Sequence, residues 1–99
     1  MIIRIVRMTF KEDKVLNFLE IFDESKTQIR AFEGCQHLEL LQDQTQANVY
    51  LTYSHWQSPE ALECYRNSDL FRSTWAKTKV LFAEKPMAFS SLRIEEIIL

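Results

Sequence analysis

The sequence predicts an α+β fold of the ferredoxin-like kind: a four-stranded antiparallel sheet in the order β-α-β-β-α-β, with its helices on one face. Two observations carry this. Hydrophobic periodicity switches between strand-like alternation and helical spacing in that order along the 99 residues. Punctuation is also sparse, with one glycine (Gly34) and two prolines (Pro59, Pro86), which suits a few long elements joined by short connections and not a turn-rich sandwich. A chain of this length makes one domain, spanning residues 1–99, with a single core.

Residues Ile2 to Phe10 are β-branched and read as the first strand. Ile2, Val6, Met8 and Phe10 share one face and Ile3 and Ile5 the other, with Arg4 and Arg7 interrupting one face each. From Glu12 to Phe32, Val15, Phe18, Leu19, Phe22, Ile29 and Phe32 form one apolar helical stripe. Gly34 follows, where a left-handed residue can end the helix without a Cβ clash. Cys35 to Gln42 alternates, with Leu38 and Leu40 opposing His37, Glu39, Cys35 and Leu41. After a polar connection, Val49 to Trp56 alternates again, with Val49, Leu51, Tyr53 and His55 on one face and Tyr50, Thr52, Ser54 and Trp56 on the other. These two strands pair as an antiparallel hairpin with a loop longer than two residues.

Ser58 caps the next helix, with Pro59 at its first position. Asn67-Ser68-Asp69 reads as a break and a fresh cap, followed by Phe71, Trp75, Thr78 and Phe82 on one helical face, which the Lys85-Pro86 pair ends. Met87 to Leu99 reads as the last strand.

A formal charge of −2 offers no electrostatic case for nucleic acid or an anionic membrane. MIIRIVRM is broken by two arginines and is neither a signal peptide nor a membrane span. Cys35 and Cys64 lie in no zinc or CxxC spacing and read as two buried, reduced thiols of a cytoplasmic protein. Helices on one face leave the other face of the sheet bare, and the first strand is too apolar on both sides to stand in water. A homodimer with sheets packed face to face follows, in which Arg93 to Leu99 could pair with the partner.

No nucleophile, dinucleotide or phosphate-loop motif is present. His37 and His55 sit on adjacent strands, with Glu39 two residues from His37, but a third metal ligand is not evident and no metal site is expected. The stretch Tyr50 to Trp75 holds half of the chain's aromatic residues in about a quarter of its length. Those side chains are core, or they wall a cavity between helices and sheet. The cavity would be lined by Tyr53, Trp56, Tyr65, Phe71 and Trp75, with Asn67, Arg72 and a histidine (His37 or His55) to orient a small aromatic ligand.

The opening IIRIVRMTF, the passage RAFEGCQHLEL and the stretch YLTYSHWQSPEALECYRNSDLFRSTW resemble the antibiotic biosynthesis monooxygenase (ABM) domains of the dimeric α+β barrel superfamily. The last stretch resembles the family's W-x-S-x-x-A-x-x-x-Y-x-x-S-x-x-F pattern through Trp56, Ser58, Ala61, Tyr65, Ser68 and Phe71. The resemblance implies a homodimeric barrel with a pocket in each subunit. It further implies oxygenation of an aromatic or quinone-like compound without a cofactor, with Trp56, Tyr65 and Arg72 holding substrate and oxygen. A haem-degrading branch of the superfamily uses Asn, Trp and His. Tyr65 and Trp75 stand in place of the last two and the first strand has no Asn, so haem cleavage is not expected. The superfamily also holds proteins without a known reaction, so a non-catalytic ligand-binding or stress-related dimer is the second class.

Overall fold

The computed structural model describes all residues, 1–99. The chain forms β1 (Ile2–Thr9), α1 (Val15–Arg30), β2 (Cys35–Gln42), β3 (Val49–Trp56), α2 (Pro59–Arg66), α3 (Asp69–Lys79) and β4 (Met87–Leu92). A 3-10 turn over Glu12–Lys14 leads into α1. The strands make one open antiparallel sheet in the order β2-β3-β1-β4, the expected ferredoxin-like arrangement.

The core lies between the helices and one face of the sheet, in two adjoining groups. Met8, Phe10, Phe18, Tyr50 and Leu81 form the first, with Phe10 stacked on Phe18 at 4.1 Å between ring centroids. Ile2, Cys35, Trp56 and Leu62 form the second, flanked by Phe32, Ala61 and Tyr65. Even-numbered residues of β1 and β3 therefore point to the helices, because successive side chains of a strand leave opposite faces. Odd-numbered Ile3, Ile5, Leu51 and Tyr53 form the open face.

Several expectations are corrected at element ends. The helix predicted over Glu12 to Phe32 is regular only from Val15 to Arg30, and Gly34 lies three residues beyond its cap, Ala31. The glycine does adopt a left-handed φ of 89°, but what it serves is the turn into β2: its carbonyl accepts from Gln57 N, and an added Cβ would stand 2.5 Å from the Ala61 Cβ. Cys35 does not share a face with His37. A bulge between them breaks the alternation and turns Cys35 inward beside Trp56. Of the two thiols expected to be buried only Cys35 is; Cys64, on α2, is exposed.

The break at Asn67 to Asp69 is a double cap. Ser58 Oγ accepts from Ala61 N at 3.1 Å to start α2, and Ser68 Oγ accepts from Phe71 N at 3.1 Å to start α3. α3 ends at Lys79, not at Lys85-Pro86. Leu81 and Phe82 turn back into the core, fastened by Lys11 N to Leu81 O and Ala83 N to Thr9 O, while Phe10, just past β1, bridges to Phe82. The last strand stops at Leu92 instead of Leu99. It pairs only with β1, and Leu92 already lies opposite Ile2, so the ladder has run out of partner. Arg93 to Leu99 is exposed and outside the sheet.

Candidate functional site

Between α1, the α2–α3 pair and the helix-side face of the sheet lies a cavity of about 300 Å³, at the small end of the range that holds ligands. Its walls are largely apolar and include six aromatic rings, with Phe18 and Phe22 from α1, Trp56 from the end of β3, and Tyr65, Phe71 and Trp75 from α2 and α3. Trp56 and Tyr65 stack at 4.8 Å, Phe71 meets Tyr65 edge-on at 5.2 Å, and Phe71 and Trp75 lie parallel at 5.8 Å. These four rings are one continuous surface that spans the junction of two helices.

Hydrogen bonding decides what each ring can offer. Trp56 is 1% exposed and its indole N–H already donates to Ser54 Oγ at 3.0 Å, so it presents an aromatic face and not a free donor. Tyr65 keeps its hydroxyl uncommitted. Burial, with a smaller contribution from the nearby Cys35, pushes its phenol up to about 12, so at neutral pH it is a protonated donor and not a base. Thr52, Ser54, Thr74 and Thr78 add hydroxyls to the lining, although Thr78 donates its own to Thr74 O at 2.7 Å. No aspartate, glutamate, histidine, cysteine or lysine lines the cavity, and its charged residues are Arg4 and Arg66.

The structure brings together Trp56, Tyr65, Phe71 and Trp75 of the residues singled out from the sequence. It separates the others. Tyr53, His37 and His55 lie on the opposite, open face, because each is offset by one residue from a neighbour that faces the helices. There His37 and His55 are direct cross-strand partners with ring centroids 4.8 Å apart, Tyr53 packs edge-on to His55 at 5.0 Å, and His37 Nε2 approaches Glu39 Oε1 at 3.1 Å. His55 Nε2 is buried without a hydrogen-bond partner, and desolvation, then the His37 and Arg93 charges, hold its pKa below the ordinary 6.5. Arg72 is largely exposed and approaches Asp69 at 3.8 Å. Asn67 turns back on Glu63, donating to its carbonyl at 2.9 Å. Neither reaches the cavity, since both side chains leave the outer surface of the helix pair.

The arginines that do line it are Arg4 and Arg66. Arg4 carried a legible signal, a guanidinium interrupting the inward face of the central strand. Arg66 lies four residues after Leu62 and so on its face of α2.

The sequence profile of the antibiotic biosynthesis monooxygenase (ABM) family matches residues 1–77. The chain belongs to this family. Its fold agrees with that of several solved structures. An antibiotic biosynthesis monooxygenase superposes with a TM-score of 0.90 at 15% identity, covering 96% of this chain and 100% of that one. Rv0793 from Mycobacterium tuberculosis gives 0.89 at 19% identity, covering 96% of each chain. A conserved protein from Methanosarcina mazei Go1 gives 0.86 at 17% identity, covering 92% of this chain and 91% of that one. No curated protein matches the sequence.

Each residue of the ABM pattern in this chain has a structural task. Trp56 and Tyr65 stack, and Phe71 closes against Tyr65. Ser58 and Ser68 cap α2 and α3, and Ser68 also donates to Tyr65 O at 2.6 Å. Ala61 faces Gly34 at close range. The pattern builds the helix junction, and the cavity is the space that junction encloses.

Proposed function

We propose that this ABM chain is a monooxygenase that oxidises a small aromatic or quinone-like compound in the cavity between helices and sheet, without a cofactor. The observation that carries the reading is the cavity itself, of about 300 Å³ and with six aromatic rings in its walls, with the Tyr65 hydroxyl as its neutral donor. A protein environment of this kind contributes desolvation, orientation and charge stabilisation. The substrate supplies the electrons. In the net reaction a ring methylene becomes a carbonyl: one atom of O2 goes to carbon, the other leaves as water with both methylene hydrogens, and the substrate loses four electrons. Its first step is loss of a proton to give an electron-rich enolate. With no base in the lining, that proton leaves to solvent, and Tyr65 donates to the oxyanion that remains.

A second reading, a non-catalytic ligand-binding dimer, is favoured by the same lack of a base. The two separate by experiment. Oxygen uptake above autoxidation with anthrones, reduced about tenfold or more by Tyr65→Phe and with one oxygen atom recovered in the product, supports the enzyme. Ligand-induced melting shifts without uptake support the binder, and neither response overturns both.

In either reading the protein is a cytoplasmic homodimer, joined through the open face. Leu41, Met87 and Phe89 are 42%, 57% and 47% exposed there, apolar side chains that a second sheet packed on this face would cover. Cys64, exposed and unpaired, suits a reducing compartment. No helix is long and apolar enough to cross a membrane. Sedimentation equilibrium showing a monomer at micromolar concentration would refute the dimer.

A further inference from the structure

The aromatic cavity carries two positive charges and no negative one. Arg4 lies opposite Ser54 on β3 and Ser90 on β4, in the middle of the sheet. It makes no ion pair, and its one side-chain hydrogen bond is from Nη1 to Ser90 Oγ at 3.1 Å. Arg66 reaches the same cavity from α2, held only by a loose contact of 3.6 Å with the exposed Glu63. Arg4 is partly desolvated and lies close enough to Arg66 for the two charges to repel, both of which lower its pKa. Two guanidinium groups at one apolar space without a carboxylate in its lining leave its charge unbalanced by the protein. A bound anion would balance it, since a guanidinium presents paired N–H donors that match a planar pair of oxygens.

We propose that Arg4 and Arg66 form an anion-binding end of the cavity, selecting planar aromatic ligands that carry a conjugated pair of oxygens bearing one negative charge. Two chemistries present that group, the carboxylate of an aromatic acid and the enolate of a hydroxyquinone. The rings pack against Trp56, Tyr65 and Phe71, and the oxyanion meets the arginines. The inference rests on the cavity being a ligand site. For the enolate source it also accounts for a lining without a base, since that ligand loses its proton to solvent before it enters.

The test is calorimetric titration of the full chain at neutral pH with two matched pairs, naphthoate against naphthamide and hydroxynaphthoquinone against its methyl ether. Each anion is expected to bind about tenfold or more tighter than its neutral partner, as charge-assisted hydrogen bonds allow. Arg4→Gln is expected to bring the two within about twofold, and Arg66→Gln to give an intermediate ratio because Glu63 already partly balances it. Lys77→Gln, on the exposed surface of α3, removes one charge without touching the cavity and should leave the ratio unchanged. Arg4→Lys, with melting curves for every variant, guards against reading a folding defect as lost affinity. A preference confined to one pair supports the proposal and names the source of the oxyanion. Equal binding of anion and neutral partner, or a preference that survives Arg4→Gln, overturns the proposal and leaves the cavity as a ligand site. If none of the four binds, both fall.

Discussion

Gly34→Ala would place a methyl group 2.5 Å from the Ala61 Cβ while holding a φ of 89°. Two separable costs arise. A left-handed conformation costs an L residue with a Cβ about 1–2 kcal/mol. The overlap adds about 1–3 kcal/mol, because Ala61 is a rigid stub on α2 and the helix must move to make room. The sum, about 2–5 kcal/mol, would lower the Tm of a domain this size by roughly 10–30 °C. Tyr65 and Arg66 ride on α2 just beyond Ala61, so the same shift disturbs the cavity.

The assay is urea and thermal unfolding at one fixed protein concentration, since dimerisation makes stability depend on concentration. Ala61→Gly isolates the overlap. Alone it should cost about 0.5–1 kcal/mol as a helix glycine. Combined with Gly34→Ala it should recover the steric part, a favourable coupling of about 1–3 kcal/mol, and leave the backbone part in place. A Gly34→Ala cost below about 0.5 kcal/mol, or full additivity with Ala61→Gly, would refute the packing account.

Two further outcomes are expected. The folded-state pKa of His55 lies below its unfolded value of 6.5, so its contribution to stability is fully present above 6.5 and is lost as pH falls from there through the folded pKa; the Tm of the wild type should therefore fall more steeply than that of His55→Gln over that window, and parallel Tm–pH curves would exclude the effect. Ser68→Ala removes the α3 cap and should cost about 1 kcal/mol in urea unfolding, with helical circular dichroism lost from a short segment and not from the whole chain.

The element order, the division of β1 and β3 into two faces, the Ser58 cap and the fresh cap within Asn67 to Asp69 were legible because they rest on local rules. Strand alternation and helical spacing are properties of consecutive residues, and a cap is a bond between Ser58 and Ala61 or between Ser68 and Phe71. The same locality explains the misplacements. Tyr53 and His55 belong to the aromatic stretch in sequence, yet each sits one residue from a cavity neighbour and so faces away from it. Cys35 defeated alternation because a bulge is a property of two strands in register. Beyond Leu92 the chain is still β-branched, and what stops the strand is the beginning of β1.

The periodicity and spacing of these 99 residues are sufficient for the α+β architecture, and the pattern from Trp56 to Phe71 for the ABM family. They also assemble four of the six rings that line the cavity. Packing alone decided the charge inside that cavity. Arg72 stood in the sequence beside the aromatics and went to solvent, while Arg4, some fifty residues from Trp56, came to the cavity from the central strand. A long cation follows the face on which its backbone puts it, and for Arg4 that face looks into the space the helices close.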